Sequence, residues 1–500
     1  MTSAPAPELP GPGGTPAQGL PPNPTEGLPT MPDISGSHLM DSRVLGDLFT
    51  SEAMRAVFTD RAMVQSWLDA EVALAGAQAG LDIIPTEAAA HIADAADAGR
   101  FDLDAMGHEV GRTAHPLVPL VRRLAEEAGP RWGAYVHYGA TTQDITDTGL
   151  VLQVRAAIEL TERLLRDLIR QLADLAERHR DLPMVGRTHA QHALPITLGF
   201  KFAVLLAECE RHADRLRDAR PRVLVGQLGG AVGSMAAFGG RGPELQDAMA
   251  RRLGLGSAPV PWHSARDGLA EVVGVVAMVA ATCGKIANEV RVLQRTEVAE
   301  LAEPFTTGKV GSSTMPHKRN PMFCEYIIAS AILCRQAPAS MLAAMHQEHE
   351  RDMSLWGVEW AVVPETFCLA AGLLERTGWI LDGLVVHPEA LYRNLHTLGD
   401  LMLSEAAMMH VAGAMGKTAA HDAVYEASMA AWETGRPLRD LLLESPAVTA
   451  SGADLDELGE LLVPERYLGS CGALVDRTVA RARAFLAHTG VSATAPEEAA

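Results

Sequence analysis

Aromatic residues are scarce in this sequence: they make up 5% of its 500 residues, whereas hydrophobic residues of all kinds make up 48%. The core must then be built mainly from Ala, Leu and Val, which suits closely packed helices better than sheets. Cysteine is also sparse, with six residues and no CxxC pair, which predicts reduced, buried thiols in a cytosolic protein. The 42 basic residues against 62 acidic ones give a formal charge of −20, which argues against a nucleic-acid partner.

Long uninterrupted apolar runs are also missing. The most apolar stretch, VVGVVAMVAATCG, has 13 residues between Glu271 and Lys285, whereas a membrane-spanning helix needs roughly 20. We therefore interpret it as a buried helix, and expect a cytoplasmic protein with no membrane partner. The first 32 residues hold ten Pro and five Gly but neither the basic nor the apolar region of a signal peptide, so residues 1–40 are predicted to form a disordered leader.

The sequence does contain strong helical periodicity. Between residues 150 and 178, aliphatic side chains recur at intervals of three, four or seven residues, which is typical of a long amphipathic helix. These side chains are Val154, Ile158, Leu165, Leu168, Leu172 and Leu175. Further long helical patterns cover about 195–220, 266–300, 320–347 and 356–383. Five long helices indicate an extended bundle, and no alternating strand pattern of consequence accompanies them. The predicted fold class is therefore all-α.

Helix-breaking segments divide this pattern into three helical domains. Short helices interrupted by Gly and Pro precede the bundle, and breakers such as ETGRPLRD and VPERYLG return after it. The predicted units are an N-terminal helical domain at 41–148, a central long-helix bundle at 149–390, a small C-terminal helical domain at 391–488 and a flexible tail at 489–500. The bundle helices carry apolar residues widely around their circumference, as expected when a bundle is shared between subunits.

The first of three polar segments in this helical chain is HYGATTQDITDTG, residues 137–149. Thr141, Thr142 and Gln143 lie where the long helix is predicted to begin. Backbone N–H groups at a helix N-terminus, with hydroxyls beside them, favour a bound carboxylate. The simpler interpretation is that Thr141 or Thr142 only caps the helix.

The second polar segment is GRTHAQHALPITLG, residues 186–199. A histidine beside a threonine hydroxyl can be held in one tautomer and act as an acid or base, so His189 next to Thr188 is a candidate. We interpret His192 as a structural residue. The His189-x-x-His192 spacing has no Cys or carboxylate at ligand distance along the chain, and HExxH is absent, so we expect no metal site.

The third polar segment is GSSTMPHKRNP, residues 311–321, whose Gly and Pro residues mark a loop. Proton abstraction next to a carboxylate needs a base, together with positive charge and donors that hold the doubly negative carboxylate as it develops. Ser312 beside free N–H groups could become such a base, and Lys318 and Asn320 supply a cation and an amide. No GxSxG elbow, P-loop or convincing dinucleotide fingerprint is present, so no cofactor is expected. The Gly-rich segment 226–240 is interpreted as a loop near the substrate.

The three segments, in this order, resemble the three signature regions of the fumarase/aspartase superfamily, and the resemblance covers about residues 41–485. It implies three helical domains, a homotetramer with a twenty-helix core, and active sites assembled from three subunits around a small dicarboxylate. It makes Ser312 the general base and His189 the candidate acid. The residues that it implies for holding substrate carboxylates are Thr141, Thr142, Gln143, Thr188, Gln227, Lys318, Asn320 and Arg351. His115 and Arg187 are additional candidates, the first where some relatives place a second catalytic histidine.

Within the superfamily, four segments look most like the 3-carboxy-cis,cis-muconate cycloisomerase branch: PWHSARD, EHERD, GRPLRDLL and PERYLGSCGALVDR. Adenylosuccinate lyase is the competing resemblance. Its phosphate-binding Ser, five residues after the arginine matching Arg351, is replaced here by Trp356, which cannot bind phosphate as a hydroxyl does. A nucleotide-sized substrate is therefore disfavoured.

Two reactions remain open from the sequence. One is elimination of a β-substituent from a small substituted succinate to give fumarate, with carbon–nitrogen cleavage of nitrosuccinate or an aminosuccinate as examples. The other is the lactonising cycloisomerase reaction of aromatic catabolism. We favour the elimination, and the Pro-rich leader hints at specialised, secondary metabolism. A purely structural role, as in the lens crystallins of this superfamily, is disfavoured because Ser312, Lys318, Asn320 and His189 are all present.

Overall fold

A computed structural model describes residues 38–306 and 308–489 of the chain. It confirms the all-α class, because the described residues form twenty α-helices and only short strands. Residues 1–37 of the predicted leader (1–40) and residues 490–500 of the predicted tail (489–500) lie outside the described residues. The remaining residues of both segments are described: Leu39–Asp41 form a 3₁₀ segment, and the last helix extends to Thr489. The helices before the bundle are α1 (Gly46–Phe49), α2 (Glu52–Val57), α3 (Asp60–Gly80), α4 (Thr86–Ala95), α5 (Leu103–Thr113) and α6 (Val118–Ala128).

Seven helices and most of the strands follow in the central part of the chain. They are α7 (Thr142–Arg178), β1 (Pro183–Thr188), β2 (Gln191–Thr197), α8 (Leu198–Val223), β3 (Val225–Gly226), α9 (Gly242–Leu253), β4 (Gly256–Ser257), α10 (Asp267–Leu293), β5 (Leu301–Ala302), α11 (Met322–Cys334), α12 (Ala337–Ala344) and α13 (Met353–Asp382). The predicted helix at 320–347 is divided into α11 and α12, with Pro338 in the first turn of α12, where proline is favoured.

The last part of the chain returns to shorter helices. They are preceded by β6 (Val385–Val386) and comprise α14 (Pro388–Leu395), α15 (Ser404–Met415), α16 (Lys417–Thr434), α17 (Leu438–Glu444), α18 (Pro446–Thr449), α19 (Leu455–Leu461) and α20 (Cys471–Thr489). Six short 3₁₀ segments also occur, at Leu39–Asp41, Ala98–Arg100, Gly133–Tyr135, Ala236–Arg241, Gly399–Leu403 and Pro464–Arg466.

Side chains at the helix starts explain where several helices begin. Thr59 accepts a hydrogen bond from the backbone N–H of Ala62 (3.2 Å) and so starts α3, separating it from α2. Thr197 caps α8 in the same way by accepting from the Phe200 N–H (3.1 Å), and Asp352 caps α13. These caps therefore mark helix starts that the apolar periodicity alone does not show.

Three buried apolar clusters hold the described chain together. The largest joins α7, α8, α10, α11 and α13, the second lies among α3, α4 and α6, and the third among α15, α16 and α17. The last helix, α20, returns to the bundle, where Val475 and Val479 belong to the largest cluster. The division into domains at 148 and 390 stays a prediction.

Strands form three two-stranded sheets within the described residues. The longest is the antiparallel hairpin of β1 and β2, so the second polar segment is not a plain connection between helices. Its tip, His189 and Ala190, has φ values of 50° and 61°, as a two-residue hairpin turn requires. The other pairs are β3 with β4 and β5 with β6.

Three helical segments are long and apolar enough to cross a membrane by length and composition, which corrects the expectation drawn from the 13-residue run. They are Asp267–Leu293, Met322–Ala344 and Met353–Asp382, with mean hydropathies of 1.8, 1.4 and 1.3. The expectation from the sequence was wrong because it considered only uninterrupted apolar runs. A helix with a few scattered polar residues can still be apolar enough to span a membrane. In this fold α10 packs against α8, α11 and α13, so we interpret its apolar surface as that of a bundle helix.

Candidate active site

The first turn of α7 is fixed by the buried carboxylate of Asp144. One oxygen accepts the backbone N–H of Thr141 (2.9 Å) and that of Gly230 (2.9 Å). The other accepts the Gly229 N–H (2.7 Å) and binds His263 Nε2 (2.8 Å). The Gly-rich segment 226–240 is thereby held against the start of α7. A Thr-x-x-Asp pattern at a helix start is the sequence signal that would have identified Asp144.

Polar side chains converge beside this helix start. Arg351 Nε donates to Gln143 Oε1 (2.8 Å), and Gln143 Nε2 donates to the carbonyl of His263 (2.9 Å). His115 Nε2 lies 3.5 Å from the hydroxyl of Thr142. The structure thus brings together Thr141, Thr142, Gln143, Arg351 and His115, five predicted site residues. We call this group the anion seat.

The anion seat contains a buried polar atom that has no hydrogen-bond partner in the described part of the chain, which is unusual inside a folded protein. The Nη2 atom of Arg351 is buried, and among the described residues it has no hydrogen-bond partner. A buried guanidinium nitrogen left unpaired is costly, because charged donors lose the most when water is removed without replacement. A carboxylate that bound here would meet this nitrogen and the positive end of the α7 dipole together.

Gln227 lies near the seat, but its amide is already engaged. Its Oε1 accepts the backbone N–H of Trp262 (2.9 Å), and its Nε2 lies 3.5 Å from Asp147 Oδ2. The backbone N–H of Gln227 donates to the Thr148 hydroxyl (3.0 Å). The side chain is 1% exposed. Its role in substrate binding therefore stays a prediction, whereas its structural role is visible in these contacts.

A buried ion cluster beneath the seat was not predicted from the sequence. Arg266 is fully buried and binds Asp147 (2.7 and 3.0 Å) and Glu359 (2.8 Å for the Nε bond). The indole N–H of Trp356 donates to Asp147 (3.1 Å). Trp356 therefore faces this cluster and joins α13 to α7. Nothing in the local sequence pattern marks these partners, which lie far apart along the chain.

A second ion pair borders the seat on the side of the N-terminal helices. His137 Nδ1 lies 2.6 Å from the buried Glu71 Oε1. Burial acts to lower the pKa of His137, but the hydrogen bond and the charge of Glu71 outweigh it and raise that pKa. The turn that follows needs Gly139, with φ of 77°, because a Cβ there would lie 2.5 Å from the ring of Phe238.

The third polar segment forms a loop that leads into α11. Ser312 is half-buried, and its hydroxyl oxygen accepts the backbone N–H groups of Thr314 (3.3 Å) and Met315 (3.1 Å). Two converging N–H donors would stabilise a negative charge on this oxygen. Lys318 is exposed and Asn320 half-buried on the same loop. The roles of these three residues stay predictions.

The hairpin carries the remaining predicted residues. Thr188 and His189 are exposed at its tip. Arg187 binds the buried Glu300 through two hydrogen bonds, one of 2.9 Å, so its charge is balanced within the fold. Burial and the positive charge of Arg187 lower the pKa of His192, which favours a neutral ring there.

The anion seat lies at one end of the bundle. Gln143 and Asp144, at the start of α7, contact Arg351 just before α13 and His263 just before α10. These three long helices therefore begin side by side. The hairpin and the Ser312 loop are attached where the same helices end, since the hairpin follows α7 and the loop follows α10.

Two contacts fix that far end. Arg187 of the hairpin binds Glu300, and β5 pairs with β6 directly after α13. Helices of 37 and 27 residues, α7 and α10, span about 55 and 40 Å at 1.5 Å per residue. Within one chain, the anion seat is therefore tens of ångströms from Ser312 and His189.

Two family models match the chain. The model described as Lyase matches residues 49–335, and the one described as adenylosuccinate lyase C-terminus matches residues 400–478. A 3-carboxy-cis,cis-muconate cycloisomerase of Pseudomonas aeruginosa is 43% identical, with 91% of this chain and 98% of that protein covered. An N-acetyl-S-(2-succino)cysteine lyase of Enterococcus italicus is 41% identical, with 89% of this chain and 97% of that protein covered.

Solved structures agree with these matches. A fumarate lyase from Mesorhizobium sp. BNC1 superposes with a TM-score of 0.80 at 41% identity, covering 86% of this chain and 98% of that one. The 3-carboxy-cis,cis-muconate lactonizing enzyme from Pseudomonas putida gives a TM-score of 0.81 at 39% identity, covering 88% and 99%. As the three ordered motifs predicted, the chain belongs to the fumarase/aspartase superfamily of lyases.

Proposed function

We propose that the protein eliminates a β-substituent from a small substituted succinate and releases fumarate. The observation that carries this proposal is the buried, unpaired Nη2 of Arg351 beside the N-terminus of α7. This arrangement fits one carboxylate of a dicarboxylate. It holds that carboxylate by charge and by hydrogen bonds, with the hydroxyls of Thr141 and Thr142 close by.

The proposed chemistry begins with Ser312. As an oxyanion stabilised by the N–H groups of Thr314 and Met315, it takes the proton from the carbon next to one carboxylate. The C–H electron pair moves onto that carboxylate, whose double negative charge Lys318 and Asn320 stabilise. The pair then forms the C=C bond of fumarate and expels the substituent, to which His189 supplies a proton where one is needed.

The site that we propose is shared between copies of the chain in a homotetramer. One chain holds its seat and its Ser312 at opposite ends of a bundle roughly 40–55 Å long. A substrate of four carbons cannot contact both within one chain. Neighbouring copies running in the opposite direction would place one chain's seat beside another's hairpin and Ser312 loop. We place this assembly in the cytoplasm.

The bond that breaks depends on the substituent. Carbon–nitrogen cleavage is the sequence-based proposal, but no nitrosuccinate enzyme is among the relatives described above. The name of the Enterococcus italicus relative supports a carbon–sulfur substituent instead. A second candidate function, cycloisomerisation of 3-carboxy-cis,cis-muconate, is favoured by the 43% identity to the Pseudomonas aeruginosa enzyme.

A substrate panel tests these alternatives directly. Nitrosuccinate, aspartate, S-(2-succino)cysteine with and without its N-acetyl group, adenylosuccinate, argininosuccinate and 3-carboxymuconate would each be incubated with the full-length protein. Fumarate appearing from one of the succinates supports the elimination and identifies the leaving group. Lactone from 3-carboxymuconate without fumarate from any succinate would replace our proposal with the cycloisomerase.

A further inference from the structure

An apolar cavity of about 440 Å³ lies between the bundle and the N-terminal helices, close to the anion seat. Its volume lies within the range of small-molecule sites. Most of its wall is apolar and includes Trp67, Leu103, Met106, Val110, Leu150 and Trp360.

The cavity lies next to the seat and is linked to it through the chain, although none of the five seat residues lines it. Thr146 lines it and lies one helical turn after Thr142, to whose carbonyl its hydroxyl donates (3.1 Å). Positions 142, 146, 150 and 153 share one face of α7, so the face that starts at the seat becomes the cavity wall. On the other side, Pro116 of the wall directly follows His115 of the seat.

The polar groups in the wall offer little to a ligand. The Thr146 hydroxyl donates within α7, and the Gln153 amide donates to the carbonyl of Val57 (2.8 Å). Asp60 is the charged residue of the wall and is exposed. Trp67 and Trp360 each add one indole N–H donor to the wall. An occupant would therefore be recognised mainly by burial of apolar surface.

Helix α5 leaves its apolar side turned to this cavity. None of its residues is buried, although Leu103, Met106 and Val110 recur at helical spacing. Gly107 lies between them and also lines the cavity. An amphipathic helix with an uncovered apolar face gains stability when that face is covered.

We infer that the cavity receives the substituent of the substrate, and that this substituent is a largely apolar group of several carbons, attached to the succinate through the nitrogen or sulfur atom whose bond to carbon is broken. This inference rests on the proposed function, since it extends the same site past the carboxylate. A carboxylate at Arg351 and Thr142 would direct a neighbouring substituent along the α7 face towards Thr146 and Leu150. A bare nitro or amino group would leave this space unfilled.

Binding of succinate and of 2-methyl-, 2-butyl- and 2-hexylsuccinate to the full-length protein, measured by calorimetry, tests the inference. Each added methylene that enters the cavity should tighten binding about fourfold, which corresponds to the full transfer free energy of a methylene. Gly107→Leu is designed to fill the cavity. A Cβ at this position meets nothing within 4 Å, so the leucine side chain would occupy the cavity. It should leave succinate binding unchanged and abolish the chain-length dependence.

Gly111→Leu is the control, one turn further along α5. A Cβ there also meets nothing within 4 Å, and Gly111 is outside the cavity wall. It should retain the wild-type chain-length dependence. Affinity that is independent of chain length in the wild type overturns the inference, as does the same response from both glycine variants. Failure of succinate itself to bind would instead refute the proposed function, and the inference with it.

Discussion

Arg351 is oriented by Gln143 through a 2.8 Å hydrogen bond, and in this orientation a buried nitrogen of its guanidinium has no hydrogen-bond partner among the described residues. Arg351→Met should therefore weaken succinate binding by about 10- to 100-fold, the loss expected for one charge-assisted hydrogen bond. Arg351→Lys should give an intermediate affinity, because an ammonium group cannot replace the planar fork. Calorimetry with succinate measures both, and unchanged affinity in Arg351→Met would remove this residue from the site.

Ser312 and Ser313 form a natural pair for testing the base. Ser312→Ala should lower kcat about 10³-fold, within the range for a lost general base, because its oxygen would no longer be available beside the N–H groups of Thr314 and Met315. Ser313→Ala, at the exposed neighbouring position, should stay within a few-fold of wild type. Light scattering checks that both variants keep the wild-type mass, and the opposite ranking of the two kcat values would exchange their roles.

The Ser312 loop is held at its base by Lys309, which forms an ion pair with the buried Glu303 and donates to the Pro304 carbonyl (3.0 Å). Glu303 also accepts the Cys324 N–H (3.0 Å) at the start of α11. Lys309→Met should therefore loosen the loop, raising amide exchange across 308–320 and lowering kcat more than it changes KM.

The control for that experiment is Lys285→Met, which breaks the more exposed pair with Glu208. It should leave both exchange across the Ser312 loop and kcat as in the wild type. Equal exchange in the wild type and Lys309→Met would show that the ion pair does not restrain the loop.

Burial separates two otherwise similar arginine pairs. Arg266 is fully buried between Asp147 and Glu359, whereas Arg222 binds Glu271 on the surface. Arg266→Met should cost about 3–5 kcal/mol in the free energy of unfolding, since it leaves two buried carboxylates without a cation. Arg222→Met should cost at most about 1 kcal/mol. Urea denaturation of both variants measures the difference, and equal costs would contradict this account.

The buried His212 predicts an acid-sensitive step in stability. Burial and the nearby Arg215 lower the pKa of His212 to about 4, against about 6.5 in the unfolded chain. Arg215 donates to its Nδ1 (3.1 Å), so Nε2 carries the proton and faces Thr282 (2.9 Å). Between pH 6.5 and 4 the unfolded chain binds a proton that the folded chain does not, so stability falls as pH is lowered through this window.

That loss is at most roughly 3 kcal/mol, the full difference between the two pKa values. The midpoint of thermal unfolding, followed by calorimetry from pH 7 to 4, reports it. His212→Gln should flatten the slope in this window, and His421→Gln, at an exposed position, should retain it. A slope that survives in His212→Gln would assign the acid sensitivity to other groups.

Much of the fold could be predicted because helical periodicity is local. The stripe from Val154 to Leu175 identified α7, and the structure extends it back to Thr142. The hairpin was not predicted, because the residues of its turn do not have the usual sequence signal. His189 and Ala190 adopt positive φ values there, whereas Asn or Gly usually occupies such positions. The expected helix at 320–347 was divided because Pro338 starts a new one.

The site was only partly predictable, for a related reason. The polar segments are visible as interruptions of a helical pattern, and the first of them supplied Thr141, Thr142 and Gln143. Arg351 and His115 lie outside these segments, and only the family resemblance indicated them. The buried partners of Arg266 are 119 and 93 residues away, and no local pattern reports a contact over such separations. For the same reason, the sequence could not indicate that Gln227 and Arg187 are engaged within the fold.

The length of α7 has a genetic consequence under the proposed assembly. If one polypeptide contributes its seat to one site and its Ser312 to another, no site is the product of a single chain. A gene copy that has lost Ser312 would still supply intact seats, and a copy that has lost Arg351 would still supply intact loops. Two such defective alleles expressed in one cell would restore some working sites, although neither allele is active alone.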